Sequence, residues 1–185
     1  MAPSEPLPFF KYHPDPVATG TVKISESACI CCGRQRGYIY TRPVYAIEEY
    51  ADQICPWCIA DGSAHRKLDV TFVCEWDIGL RGTWDDKVPE AVIEEISQRT
   101  PGFMGWEQDR WWTHCGDAAQ FVAKVGHDEL VAAGPEAIEA VRAGTGVNPG
   151  VWEELFEAAT RDGSPRAYLF KCPKCGKYGG YIDCD

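Results

Sequence analysis

The sequence predicts an α+β fold in which cysteine knuckles and short antiparallel strands pack with several short helices. Three observations predict it. Cysteines recur as C-x-x-C pairs, Cys29/Cys32, Cys55/Cys58 and Cys172/Cys175. Segments of alternating β-formers flank those pairs. Between residues 88 and 160, apolar residues recur at helical spacing.

Taken in order, residues 2 to 17 are rich in Pro and read as an extended arm, which Phe9-Phe10-Lys11-Tyr12 can pin to a core. "TGTVKIS" is a short strand and "GYIYTRPVYA" a second, with Pro43 marking an edge or an end. Pro56 to His65 is a short helix, and "DVTFVCEW" reads as a strand. "VPEAVIEEISQRTPG" is a helix, with Val88, Val92, Ile93 and Ile96 on one face, Pro89 in the first turn and a Pro-Gly stop. In "FMGWEQDRWW", the spacing of Trp106, Trp111 and Trp112 suits a helix burying one side in the core. Asp117 is positioned to cap a helix through "AAQFVAKVG" that stops at Gly126. "GPEAIEAVRAG" and "NPGVWEELFEAATRDG" are two more helices, the latter with Trp152, Leu155, Phe156 and Ala159 on one face. The end, "RAYLFKCPKCGKYGGYIDCD", reads as strand, knuckle, strand. At 185 residues the expectation is one compact domain over 1–185, with 24–67 as a zinc-ribbon-like subregion and 165–185 as a C-terminal cysteine-clipped hairpin.

No window is apolar enough to span a membrane and no secretory leader is evident, so a cytoplasmic location is expected. In a reducing compartment, ten cysteines point to metal ligation or free thiols before disulfides. The formal net charge of -10 excludes nucleic acid as the main partner and favours a basic protein. Residues 127 to 162 carry eight Asp/Glu against two Arg, while residues 1 to 42 carry five Lys/Arg against three Asp/Glu.

A C-x-x-C at a helix start, as in "DQICPWCIADGSAH", suits a redox dithiol or half of a zinc site. Pair counting favours zinc. Cys29/Cys32 and Cys55/Cys58 are separated by 22 residues, room for a hairpin between two knuckles, and together supply four thiolates for a closed tetrahedral site. Gly33 and Gly176, directly after Cys32 and Cys175, supply the positive φ with which such turns end. Cys172/Cys175 is half a site. Cys115, with His114 as fourth ligand, completes a second set in "WWTHCGD", at an expected helix start, and Cys184 is the weaker alternative. One zinc is thus expected at the first set; the other set either holds a second zinc or stays metal-free. Cys31 cannot easily face the same metal as Cys32, and Cys74 reads as a small buried hydrophobe. His13, His65 and His127 read as structural, and the carboxylates of "EWD" and of Asp85-Asp86 as a solvated face. Phosphate-loop, serine-hydrolase and zinc-protease motifs are absent, so no catalytic residue is assigned and a non-enzymatic protein is expected.

"LPFFKYHPDPVATG", "CICCG", "CPWCIADGSAH", "TPGFMGWEQDRWWTHCGDAAQFVAKVG" and "FKCPKCGKYGGYIDCD" together resemble the CbrC family of small bacterial proteins, first named for a link to colicin tolerance. The resemblance implies defence against a protein toxin. Joined to the acidic charge, it suggests an immunity protein that binds and neutralises a basic toxin domain, such as a nuclease. A zinc-ribbon regulator of a stress or envelope response ranks second, and a zinc- or thiol-dependent enzyme third.

Overall fold

The structure, a computed structural model, describes residues 5–79, 88–105 and 109–184. The fold is α+β, with short antiparallel sheets, helices and cysteine clusters of the zinc-knuckle type. Two units divide the chain: Met1–Ile78 with Pro89–Met104, and Gly79–Val88 with Gly105–Asp185.

In the first unit the N-terminal arm inserts Phe10 and Tyr12 into the core and leaves Phe9 exposed. Strand β1 (Val22–Ile24) pairs antiparallel with β2 (Tyr38–Tyr40), Val22 opposite Tyr40. Phe10, Val22, Ile39, Ile54, Ile59, Val70 and Phe72 form one buried cluster around them. The helix expected over Pro56 to His65 is two: α1 (Pro56–Ala60), with Pro56 at its first position, and α2 (Ser63–Leu68). They separate because Gly62 adopts a left-handed conformation, φ 71°, which no continuous helix accommodates.

"DVTFVCEW" does not form the expected strand. Its burial does not alternate, since Phe72 and Val73 are both buried. Thr71 makes a single bridge to Tyr45, the Phe72 N–H donates to the carbonyl of Ser97, and Glu75–Asp77 close a 3-10 turn. Helix α3 (Glu90–Arg99) follows Pro89 as expected and buries Ile96 and Ser97.

In the second unit a hairpin of β3 (Thr113–His114) and β4 (Asp117–Ala118) precedes a three-stranded antiparallel sheet, ordered β5 (Gln120–Val125), β6 (Arg166–Lys171), β7 (Tyr178–Asp183). The helix expected from Asp117 to Gly126 is therefore β4 and β5. Phe121, Val122 and Val125 are β-formers, and β6 supplies the ladder that an isolated reading cannot see, from Gln120–Lys171 to Val125–Ala167. Asp117 bonds the N–H of Ala118, and Gly126 leads into a helix the sequence reading missed, α4 (His127–Ala133), where its N–H donates to Glu129.

Central strand β6 is buried on both faces. Ala167 and Leu169 join Val125, Leu130, Ala137, Val141, Trp152 and Ile182 in one cluster. Phe170 packs with Phe121 and Trp111 on the other face. Helices α5 (Pro135–Thr145) and α6 (Pro149–Ala158) form as expected, with Asn148 capping α6 through the Val151 N–H. Trp111 is fully buried and donates its indole N–H to the Ala119 carbonyl; residues 109 to 112 are not helical, and Trp106 lies outside the described residues. So do Asp85 and Asp86.

Candidate metal centres

The first centre joins a turn to a helix start. After Cys29 the chain reverses tightly: the Gly33 N–H donates to the Cys29 carbonyl at 2.7 Å, the Cys29 N–H to the Arg34 carbonyl at 2.9 Å, and Gly33 takes φ 70°. Cys55 is the N-cap of α1, and Cys58 lies in that helix's first turn. The sulfurs of Cys29, Cys32, Cys55 and Cys58 all lie within 4.8 Å of one another. Cys29 and Cys58 are 3.8 Å apart and Cys32 and Cys55 3.9 Å. A tetrahedron with Zn–S bonds of roughly 2.3 Å has edges of about 3.8 Å, so the set fits zinc.

The electrostatics match. A hydrogen bond from the Cys55 thiol, joined by backbone N–H groups against the opposing effect of burial, pulls Cys29 down to about 4. The same bond pushes Cys55 up, and burial pushes Cys58 up. A divalent cation would displace the thiol protons of the set and bind its four sulfurs as thiolates.

The second centre joins two hairpin turns. Cys115 and Gly116 link β3 to β4 with φ 57° and 64°, as a two-residue type I′ loop requires. Gly adopts that conformation freely, whereas Cys115 is strained there, a strain expected where a side chain is needed for function. The Cys172–Cys175 turn joins β6 to β7 and repeats the Cys29 turn: the Gly176 N–H donates to Cys172 at 2.9 Å, the Cys172 N–H to Lys177 at 2.8 Å, and Gly176 has φ 75°. His114 directs Nδ1 at the sulfurs, 3.1 Å from Cys115 and 3.4 Å from Cys175. These approach the edge of about 3.5 Å for a mixed S/N zinc tetrahedron.

His114, Cys115, Cys172 and Cys175 thus come together within 4.8 Å. His114-Cys115 stands in a strand and its turn, not at the expected helix start. The signal in the sequence was His-Cys-Gly-Asp itself, a two-residue loop ending in Gly between β-formers.

The centres differ in exposure. Cys29, Cys55 and Cys58 are buried, while Cys115 and Cys175 are exposed and only Cys172 of the second set is buried. Local desolvation and the neighbouring Cys175 thiol push Cys115 up to about 11, whereas the Lys177 N–H lowers Cys175. Lys174 reaches over this centre to the Cys115 carbonyl at 3.0 Å.

The remaining candidates fall outside both sets. Cys31 lies 3.6 Å from the Ser63 hydroxyl, Cys184 is exposed, and Cys74 is half-buried, not the buried hydrophobe expected. His13, His65 and His127 each bond a backbone carbonyl through Nδ1. Among the described residues no helix is long and apolar enough to cross a membrane.

The family model described as "Uncharacterised protein family (UPF0167)" matches residues 7–184. UPF0167 proteins of Mycobacterium bovis and Mycobacterium tuberculosis are each 47% identical over 181 residues, covering 96% of this chain and 93% of theirs. A UPF0167 protein of Pseudomonas aeruginosa is 38% identical over 174 residues, covering 93% and 94%. No solved structure matches. The resemblance to the CbrC family is corrected by these matches, which carry the UPF0167 name, and the toxin-defence role it implied loses its support. With the match running over both cysteine sets, the chain belongs to the UPF0167 family.

Proposed function

We propose that this chain is a zinc-binding, non-enzymatic protein that carries two structural zinc ions and acts by binding a protein partner. The observation that carries the metal reading is that each centre assembles four protein donors within 4.8 Å. Four sulfurs, or three sulfurs and an imidazole, complete a tetrahedral shell, whereas a catalytic zinc keeps a position for water or substrate. At the first centre zinc would clip the Cys29 turn to α1; at the second it would clip the β3–β4 hairpin to the β6–β7 hairpin. A basic protein partner suits the net charge of -10 and the exposed carboxylates on α4, α5 and α6, among them Asp128, Glu136, Glu139, Glu153 and Glu154.

Metal quantification on the purified protein tests the metal reading. Two zinc ions per chain are expected, falling to one on Cys115→Ser; a metal-free wild-type protein with freely reactive thiols overturns it. The exposure of Cys115 and Cys175 favours a second reading, thiol chemistry at that centre. Thiol titration separates the two: under structural zinc these sulfurs react only after chelation, and under thiol chemistry they react with zinc still bound.

A further inference from the structure

A metal-bound histidine is ordinarily oriented through its second ring nitrogen, whose N–H is held by a carboxylate, a carbonyl or water. In the second centre His114 turns Nδ1 toward the sulfurs of Cys115 and Cys175, which leaves that task to Nε2. Among the described residues Nε2 has no hydrogen-bond partner. What lies against the imidazole is an indole. The rings of Trp112 and His114 stack, with centroids 5.2 Å apart and planes 13° from parallel.

Trp112 is itself fixed. It is 9% exposed, and its ring lies over the Cα of Gly179 in β7, where a Cβ would collide with Cε2, Cδ2 and Cε3 of the indole. Gly179 does not have the left-handed φ of Gly176, so the need for glycine at this position is one of space. Gly179 pairs with Phe170 in the β6–β7 hairpin, the same hairpin whose turn carries Cys172 and Cys175. One hairpin therefore supplies two sulfurs directly and seats the ring that backs the nitrogen.

On the two-zinc reading proposed above, we infer that Trp112, seated on Gly179, is a positioning residue that presents His114 Nδ1 to the second metal. Stacking on the indole fixes the plane of the ligating imidazole. A ring free to rotate would offer the metal either nitrogen or neither, leaving three sulfurs and solvent.

Chelator competition on the full-length zinc-loaded protein, with absorption spectra of its cobalt(II)-substituted form, tests this. Trp112→Leu keeps apolar bulk without a ring, Trp112→Phe keeps a ring, Gly179→Ala displaces the indole, and His114→Ala is the reference for loss of nitrogen. Removing an outer-shell partner of a metal ligand lowers affinity by about 10- to 100-fold. Trp112→Leu and Gly179→Ala are each expected to lose that much at the second centre, with cobalt d–d bands moved toward those of His114→Ala. Trp112→Phe stays near wild type, and the Cys29 centre in the same molecules keeps its metal. Wild-type affinity and spectrum in Trp112→Leu and Gly179→Ala, or equal loss at both centres, overturns the inference. A wild-type protein that binds fewer than two zinc ions instead overturns the two-zinc reading.

Discussion

At the scale of single residues, His13 shows how a buried imidazole serves the fold, as its sequence context suggested. It is fully buried; Nδ1 donates to the Pro101 carbonyl at 2.7 Å, and Nε2 lies 2.7 Å from the Thr19 hydroxyl, which also reaches the Pro16 carbonyl. Burial lowers the pKa from 6.5 to about 4, against smaller opposing contributions from the Pro101 bond and the charge of Asp15. The sign follows from proton counting: between those values the unfolded chain holds a proton that the folded chain does not, so folding weakens as pH falls. The full window corresponds to about 3 kcal/mol. Urea unfolding of wild type and His13→Gln at about pH 7 and about pH 5 isolates this contribution, since protonation of the thiolates affects both proteins alike. Wild type is expected to lose more stability than the variant on acidification; equal losses would show that His13 does not titrate in this window.

At the scale of elements, two turns of the same construction hold the knuckles, and each ends on a glycine with positive φ, Gly33 and Gly176. A Cβ at Gly33 would meet nothing within 4 Å, so alanine there pays only for backbone conformation. Gly33→Ala is expected to destabilise the zinc-loaded protein by roughly 1 kcal/mol and Gly33→Asn by less, measured by denaturant midpoint. These turns were legible in the sequence because C-x-x-C-G is a local pattern. The same holds for α5 and α6, which carry their Pro starts and their own apolar faces. The segment from Asp117 to Val125 was not legible: Ala118, Ala119, Phe121 and Val125 suit either period, and what decides for strand is β6, more than forty residues away. Likewise "DVTFVCEW" has strand composition, but Val70, Phe72 and Val73 are all buried, which a half-exposed strand with strict alternation forbids. For the second centre, the sequence named the donors His114, Cys115, Cys172 and Cys175. It could not reveal the ring behind the nitrogen, because Trp112 and Gly179 meet only once β7 is in place.

At the scale of the whole molecule, the two donor sets belong to different units of the chain, the cysteines of the first to one and the second set to the other. Each metal would therefore be coupled to the order of its own unit, and the two should leave independently. Exposure sets the sequence of loss: Cys115 and Cys175 face solvent, so a chelator can approach the second centre directly, whereas Cys29, Cys55 and Cys58 are buried and release metal only when α1 and the Cys29 turn open. Adding chelator to the zinc-loaded protein is expected to release one equivalent quickly and one slowly. Hydrogen exchange in the fast phase should rise around residues 113–118 and 171–178 while residues 29–33 and 55–59 stay protected. Cys115→Ser should abolish the fast phase and leave the slow one unchanged. A single phase for both equivalents, or loss of protection in both units at once, would mean that the centres are held by one cooperative transition and that exposure does not govern release.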